Sequence, residues 1–268
     1  AAQVSQVSKE LDTEVSRFRE APLSKSYPVV WIDALYEKIR DDGKVTSKAI
    51  MIAMALNSEG KKEILAIEPM DNESTDTWTL FFEKLKSRGL EQIGLLVSDA
   101  HLGIQSALKS SFIGTSWQRC KVHFMRNILA RVPHKHKEMI GKQLSLIFTQ
   151  FCFDHAKQMT KEVIDKFSAQ FPEAMDVLSN GIEDALQFFH FPELPFTRTS
   201  STNHLERLNR EIRRRSNVVG TFPSIDSYIR LIGSYLFEYQ ADWDTGKAIV
   251  KPDRIIHFNY NLAAKIAA

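Results

Sequence analysis

Every strand signal in this chain falls before residue 120, and two of the buried runs stop on an aspartate. Val29-Val30-Trp31-Ile32 is a short continuous apolar run that ends on Asp33; Gly94-Leu95-Leu96-Val97 is another, ending at Ser98-Asp99. Unbroken apolar runs of this length read as strands covered on both faces. The charged turn Asp41-Asp42-Gly43 leads to a second strand over 47–56, and the loop Asn57-Ser58-Glu59-Gly60 leads to a third over 63–67. Trp78, Phe81, Phe82 and Leu85 then recur at helical spacing, with Arg88-Gly89 as the stop. The Gly94 run, a short helix over 101–109 and a strand over 115–119 complete this half. Three strands, helix, strand, helix, strand predicts an α/β mixed sheet flanked by helices, with an antiparallel meander at one side.

From 122 to 191 the strand signals stop and helical patterns take over, with breaks expected at Pro133, Pro172 and Gly181. Pro192 and Pro195 mark a loop, a strong helix follows over 202–215, and another apolar helix over 225–239. Residues 1–26 are polar, with weak helical spacing of Val4, Val7, Leu11, Val15 and Phe18, and read as a lead-in helix or linker. The chain starts at Ala1 rather than Met and ends blandly, which points to a longer protein with something upstream. No run approaches the roughly 18 apolar residues that span a membrane; the longest, 49–56, has strand length. No signal-peptide pattern opens the chain. Two cysteines, Cys120 and Cys152, make no disulfide framework and fit a reducing compartment. Cys152, between Phe151 and Phe153, reads as a small core residue.

The formal net charge of 268 residues is only +2, which on its face argues against a nucleic-acid partner. Its distribution says otherwise. Residues 119–142 carry seven Lys/Arg against one acid, 143–195 three Lys against eight acids, and 198–215 six Arg against two Glu. The small total is a cancellation between two basic segments and an acidic helical one.

Asp33 and Asp99 each close a buried strand, where a carboxylate is costly unless paired or bound to a cation. Singly, such residues cap turns and helices. Brought side by side they would repel, and a divalent cation such as Mg²⁺ resolves that conflict. The helix over 202–215 adds a third acid. Leu205, Leu208 and Ile212 form its core stripe, Glu206 lies beside that stripe near Asn209, Arg210 and Arg213, and Arg207 and Arg214 turn further towards solvent. Glu206–Arg210 and Arg207–Glu211 pairs along a solvated face would account for the charges. They do not account for five Arg in nine residues, a density that suits phosphate binding. Cys120-Lys121-Val122-His123 is a C-x₂-H; His134 and His136 would be needed to complete a zinc set, and their tight spacing across Pro133 makes a supporting role the better reading. Phosphate-loop, dinucleotide and nucleophile-elbow motifs are absent, so no nucleotide cofactor is expected.

The motifs taken together resemble a known family. Val30-Trp31-Ile32-Asp33-Ala34-Leu35-Tyr36 and Val97-Ser98-Asp99-Ala100-His101-Leu102-Gly103 resemble the first two acidic blocks of Mutator-type bacterial insertion-sequence transposases. Trp117 to Asn127 resembles their C-x₂-H block, and Ser201 to Arg215, continued by Val218-Val219-Gly220-Thr221-Phe222-Pro223, their third acidic block. Four blocks in the right order make the resemblance specific. Pro195-Phe196-Thr197-Arg198-Thr199 departs from it, standing where many members have a Trp-containing stretch.

The resemblance implies a ribonuclease-H-like catalytic core of the DDE class interrupted by an all-helical insertion: a lead-in over 1–26, the core over 27–123, the insertion over 124–195, the rest of the core over 196–240 and a tail over 241–268. It implies Asp33, Asp99 and Glu206 as catalytic and metal-holding acids for two Mg²⁺ ions, with Mn²⁺ as a substitute, acting in DNA cleavage and strand transfer at element ends. Cys120, His123, Arg126, Asn209, Arg210, Arg213 and Arg214 would contact DNA or support the site. A homodimer acting on transposon ends and target DNA, in the bacterial cytoplasm at the nucleoid and away from any membrane, completes the expectation. The same acids would also serve another ribonuclease-H-like nuclease, and a domesticated DNA-binding derivative would keep the fold without the activity.

Overall fold

Strands that are apolar on both faces need helices above and below them, and this chain supplies both layers. The protein, seen here as a computed structural model, is described for the backbone of residues 2–267 and the side chains of 6–259; Val4 of the expected lead-in stripe lies outside the described side chains. Helix α1 (Ala2–Glu20) is followed by β1 (Ser26–Asp41), β2 (Lys44–Leu56), β3 (Lys62–Met70), α2 (Thr75–Ser87), β4 (Gln92–Ser98), α3 (Leu102–Ser111) and β5 (Ser116–Arg119). They form one mixed five-stranded sheet in the order β3-β2-β1-β4-β5, antiparallel across β1, β2 and β3 and parallel across β1, β4 and β5.

Alternation sorts the side chains between the two faces. Val29, Trp31, Leu35 and Ile39 of β1 join Leu95 and Val97 under one helical layer, while Val30 and Ile32 join Leu96 under Trp78, Phe81 and Phe82 of α2 and Ile104 and Leu108 of α3. The first layer consists of α9 (Asn203–Val219) and α10 (Ile225–Thr245), with Val15 of α1 and Ile255 and Phe258 of α11 (Pro252–Ala267). Asp12 on α1 receives both arms of the Arg230 guanidinium, at 2.7 and 2.8 Å, which pins the lead-in segment as a docked helix.

The first strand is longer than its apolar run predicts, and Asp33 is not its end. β1 continues to Asp41, because Asp33 to Asp41 stay paired with β2 from Ile52 down to Lys44. The hairpin closes through Asp42 and Gly43, both at positive φ (47° and 78°), the two-residue turn whose twist matches the strands it joins. What ends at this level is β4: its last pairing with β1 is Val97 with Trp31. Further along, Arg40 N–H donates to the Phe222 carbonyl and Phe222 N–H to that of Lys38. Between these pairings that side of β1 has no strand neighbour, and α9 lies against it. Asp33 therefore sits where the sheet narrows, on the strand face covered by α9.

After β5 the chain turns wholly helical: α4 (Lys121–Leu129), α5 (Lys137–Ile147), α6 (Phe153–Phe167) and α7 (Pro172–Ala185) gather around their own core of Phe124, Ile128, Leu144, Val163 and Leu178. A short α8 (Phe196–Thr199) then leads into α9. Gln118 on β5 ties this bundle to the sheet, donating to the Ala185 carbonyl and accepting from Phe188 N–H, each at 2.8 Å. The helices break at Pro133, between α4 and α5, and at Pro172, which opens α7, but Gly181 breaks nothing: it lies inside α7, where a Cβ would collide with the Arg119 guanidinium and the Phe124 ring. Gly181→Ala is expected to lower the stability by about 1–3 kcal/mol of overpacking, although alanine is the better helix former by nearly 1 kcal/mol; the midpoint of a urea titration reads the sign. Cys152 is half-buried at the start of α6, and its neighbour Phe151 is 77% exposed, so the pair is not core. Among the described residues no helix is long and apolar enough to cross a membrane.

Candidate active site

Asp33 reaches the α9 side of β1 and is held at both oxygens. Oδ1 accepts from Ala34 N–H at 3.0 Å and Oδ2 from the Asn209 amide at 2.8 Å. Burial, and after it the charge of Asp99, pushes its carboxyl up from 3.8 to about 6. Asp99, one residue past β4, is thus near enough to oppose its ionisation, which is the frustration expected of adjacent carboxylates with nothing between them.

Glu206 comes from the first turns of α9, whose Leu205, Leu208 and Ile212 are fully buried. Its Oε1 lies 3.1 Å from His123 Nε2 and 3.6 Å from Arg126 Nη1, both on α4. The helix-face pairs open to it in the sequence do not form as envisaged: Glu206 turns to α4, and Glu211 takes Arg214 and Arg215, at 3.0 and 3.1 Å. Asp33, Glu206, His123, Arg126, Asn209, Arg210 and Arg213 line one open cleft of about 370 Å³. Arg214 points away from it, towards Glu211.

Cys120 lies fully buried beneath the cleft. Its backbone N–H donates to the Ser98 carbonyl at 2.7 Å, fastening the start of α4 to the end of β4, and the next N–H, of Lys121, donates to the Ser200 carbonyl just ahead of α9. Its Sγ accepts from both the backbone N–H and the hydroxyl of Thr202, the residue that precedes α9. Burial would raise the thiol, but the interactions with His123 and Thr202 bring it below its usual value; the same Cys120 contact is the main reason the His123 imidazole lies above its own. The C-x₂-H is therefore a joint between β4, α4 and α9. His134 and His136 do not join it: His134 is exposed and His136 packs on Phe171.

A further carboxylate emerges that carries no motif. Glu73, in the loop between β3 and α2, opposes the ionisation of Asp33, and its own carboxyl is raised by burial, and to a lesser extent by Asp99, against the opposing pull of His101 and a hydrogen bond with Tyr36. A lone acid in a polar loop has no periodicity to betray it.

Among the described residues, no three His, Cys, Asp or Glu side chains stand close enough together to form a ready ion-binding set. The donors nonetheless fit a hard divalent cation. Two carboxylates oppose each other's charge, and Asn209 Oδ1 is buried without a hydrogen-bond partner.

The family model described as Transposase, Mutator family, matches residues 1–246. The transposase for insertion sequence element ISRM5 of Rhizobium meliloti is 35% identical over 253 residues, covering 94% of this chain and 64% of its own length. The transposase for IS256 in transposon Tn4001 of Staphylococcus aureus is 37% identical over 243 residues, covering 90% of this chain and 62% of its own. That for IS1081 of Mycobacterium tuberculosis is 36% identical over 247 residues, 92% and 60%. The chain thus spans less than two thirds of the length of these relatives. Among solved structures, the Drosophila P element transposase strand transfer complex gives a TM-score of 0.30 at 12% identity over 90% of this chain and 72% of that one, too slight a likeness to bear on the fold. With a family model over nearly its whole length and relatives of this identity, the chain belongs to the Mutator family of transposases.

Proposed function

We propose that this chain is the catalytic part of an insertion-sequence transposase that cuts DNA at element ends and joins them to target DNA, on a ribonuclease-H-like core with Asp33, Asp99 and Glu206 as its acids. The observation that carries the reading is the convergence on one open cleft of Asp33 from the central strand, Glu206 from a helix far along the chain, and the cationic side chains of Arg126, Arg210 and Arg213. Family membership supplies the reaction class.

Two Mg²⁺ ions, or Mn²⁺, held by the three acids would supply charge neutralisation at phosphorus and a more acidic attacking oxygen. The chain's own side chains do the rest. Asn209 and Ala34 N–H fix the rotamer of Asp33. His123 and Arg126 hold Glu206 against α4. Arg210 and Arg213, exposed on the rim, present guanidiniums to the phosphodiester. The reaction is an in-line displacement: a water or a 3′-hydroxyl oxygen bonds to phosphorus and loses its proton, and the 3′ bridging oxygen leaves and takes one up. Two ends must be held together for transfer, so a dimer is the expected working state.

Purified protein should cleave duplexes carrying the element ends only with Mg²⁺ or Mn²⁺. Asp99→Asn and Glu206→Gln should abolish cleavage while leaving DNA affinity within about twofold, because they remove charge from the cleft and not cations from its rim. Unimpaired cleavage by either variant overturns the assignment. DNA binding by the wild type with no cleavage under any metal marks a transposase-derived binding protein instead.

A further inference from the structure

The second half of α9 is held to β1 by a buried polar contact that lies outside the cleft. On the face of β1 that α9 covers, the inward side chains are Asp33, Leu35, Glu37 and Ile39. Against them α9 buries Leu205, Leu208, Asn209, Ile212 and Ser216. Two of the meetings are polar. The Asn209 amide donates to Asp33 Oδ2 at 2.8 Å, and two turns further along the helix the Ser216 hydroxyl donates to Glu37 Oε1 at 2.7 Å. Glu37 is 8% exposed and Ser216 1%. The strand from Asp33 to Glu37 covers about 13 Å and the helix from Asn209 to Ser216 about 10 Å, so both contacts fit one alignment, with α9 running the same way as β1.

A carboxylate is a costly choice at position 37, where Leu35 and Ile39 on either side show that an aliphatic side chain packs. Lys48, opposite Glu37 across the hairpin, turns instead to Asp41 and Asp71. A buried polar pair costs stability but sets register. An apolar stripe tolerates a helix displaced by one turn, about 5.4 Å, whereas a hydrogen bond does not. Asn209 cannot set the register alone, because Asp33 Oδ2 is itself a candidate metal ligand and the amide would share its acceptor with a cation. The backbone pairing of Phe222 with Lys38 and Arg40 comes only after the helix has ended at Gly220, so it anchors the loop and not the helix.

We propose that Glu37 and Ser216 are positioning residues: their hydrogen bond fixes the place of α9 along β1, and thereby the distance at which Glu206 faces Asp33 and Asp99. The lock rests on the reading of those acids as metal ligands and extends it to a pair outside the cleft. Glu206 lies ten residues before Ser216 on the same unbroken helix, about 15 Å away. A helix of that length moves as a rod, so a displacement at Ser216 reaches Glu206 undiminished. Displacement by one turn exceeds the roughly 3.5–4 Å that separate the ions of a two-metal site, and would put Glu206 out of reach of any ion that Asp33 holds. Neither Glu37 nor Ser216 lines the cleft, so their bond persists whether the acids carry ions or not.

The test measures Mn²⁺ binding to the DNA-free protein by electron paramagnetic resonance, beside Mg²⁺-dependent cleavage, in wild type, Glu37→Met/Ser216→Ala, Glu37→Gln and Glu206→Gln. The double variant leaves neither a donor nor an acceptor of this pair buried alone, so its thermal midpoint should stay near that of wild type. Its Mn²⁺ affinity should nonetheless fall about 10- to 100-fold, and the Mg²⁺ concentration for half-maximal cleavage should rise in step. Glu37→Gln, whose amide oxygen still accepts from Ser216, should stay within about threefold of wild type in both. Should the double variant lose its fold, Glu37→Gln/Ser216→Ala, which buries no unpaired charge, carries the same expectation. Wild-type Mn²⁺ affinity in the folded double variant overturns the lock. So does a loss in Glu37→Gln as large as that in the double variant, which would make the buried charge and not the hydrogen bond the feature that matters. Both results leave the proposed function standing. Mn²⁺ binding that Glu206→Gln leaves unchanged overturns the proposed metal site itself.

Discussion

Asp33→Asn should give a protein that is more stable than wild type above pH 6 and unable to cleave DNA. In the metal-free protein the Asp33 carboxyl titrates near 6 instead of 3.8, chiefly because it is buried and then because Asp99 opposes it. An acid whose folded value is raised costs stability once it must ionise in the fold. Below about pH 4 it is protonated in both states and costs nothing; between about 4 and 6 the cost accumulates; above 6 it is fully present. The substitution removes the charge at small steric cost. One hydrogen bond is endangered, since the nitrogen of the introduced amide cannot accept from the Asn209 amide as Asp33 Oδ2 does. Yet Asn209 Oδ1 is buried without a partner, so a flip of that amide lets the new side chain donate where the aspartate accepted. The expected gain is about 1–3 kcal/mol at neutral pH, vanishing towards pH 4, in chemical denaturation without divalent ions. Adding Mg²⁺ should raise the wild-type midpoint and leave Asp33→Asn unmoved, closing the gap, because a ligand stabilises only the form that binds it. A variant that is less stable than wild type at pH 7, or that gains equally from Mg²⁺, removes Asp33 from the metal site.

How far the residues announced this arrangement depended on the range of the interaction. The meander, the Asp42-Gly43 turn and the apolar stripes of α2 and α9 are local patterns and stand as read. Asp33 was recognisable as costly, but its place in the middle of β1 was not. The apolar run ends at Ile32 because the strand beyond it loses a neighbour, while its backbone pairing with β2 continues through Tyr36, Lys38 and Arg40, which point outward. Gly181 looked like a helix break because propensity is a local quantity, and the reason for it, the packing of Arg119 and Phe124 against α7, is not. Asn209 and Asp33 lie 176 residues apart, and only the fold shows that one aims the other. Glu73 was invisible for the same reason, its significance residing entirely in which acids it faces.

Removing the imidazole of His123 should cost about 10- to 100-fold in cleavage rate, the range typical for groups that orient a metal ligand, with little loss of DNA affinity. Glu206 is tethered to α4 on one oxygen, by His123 at 3.1 Å and by the largely exposed Arg126 at 3.6 Å. The arginine is the weaker restraint, because an exposed pair is screened and its side chain is free to move to a phosphate. His123 is not free in that way. It is packed beside Cys120, which holds Thr202 through its sulfur and Ser98 through its backbone, so the imidazole is anchored to the strand end that delivers Asp99 and to the residue from which the helix of Glu206 starts. In His123→Ala the carboxylate keeps its helix but loses its direction, so the Mg²⁺ concentration for half-maximal cleavage should rise while the thermal midpoint stays near wild type. His123→Gln, whose amide reaches about as far as Nε2, should recover part of the rate. Cys120→Ser, which keeps an acceptor for Thr202, should be mild, whereas Cys120→Val strands two buried donors and should cost about 1–3 kcal/mol of stability as well as rate. Metal dependence separates positioning from mere support: if His123→Ala loses rate only in proportion to lost folded protein, with an unchanged Mg²⁺ requirement, the imidazole holds the domain together and does not aim the acid.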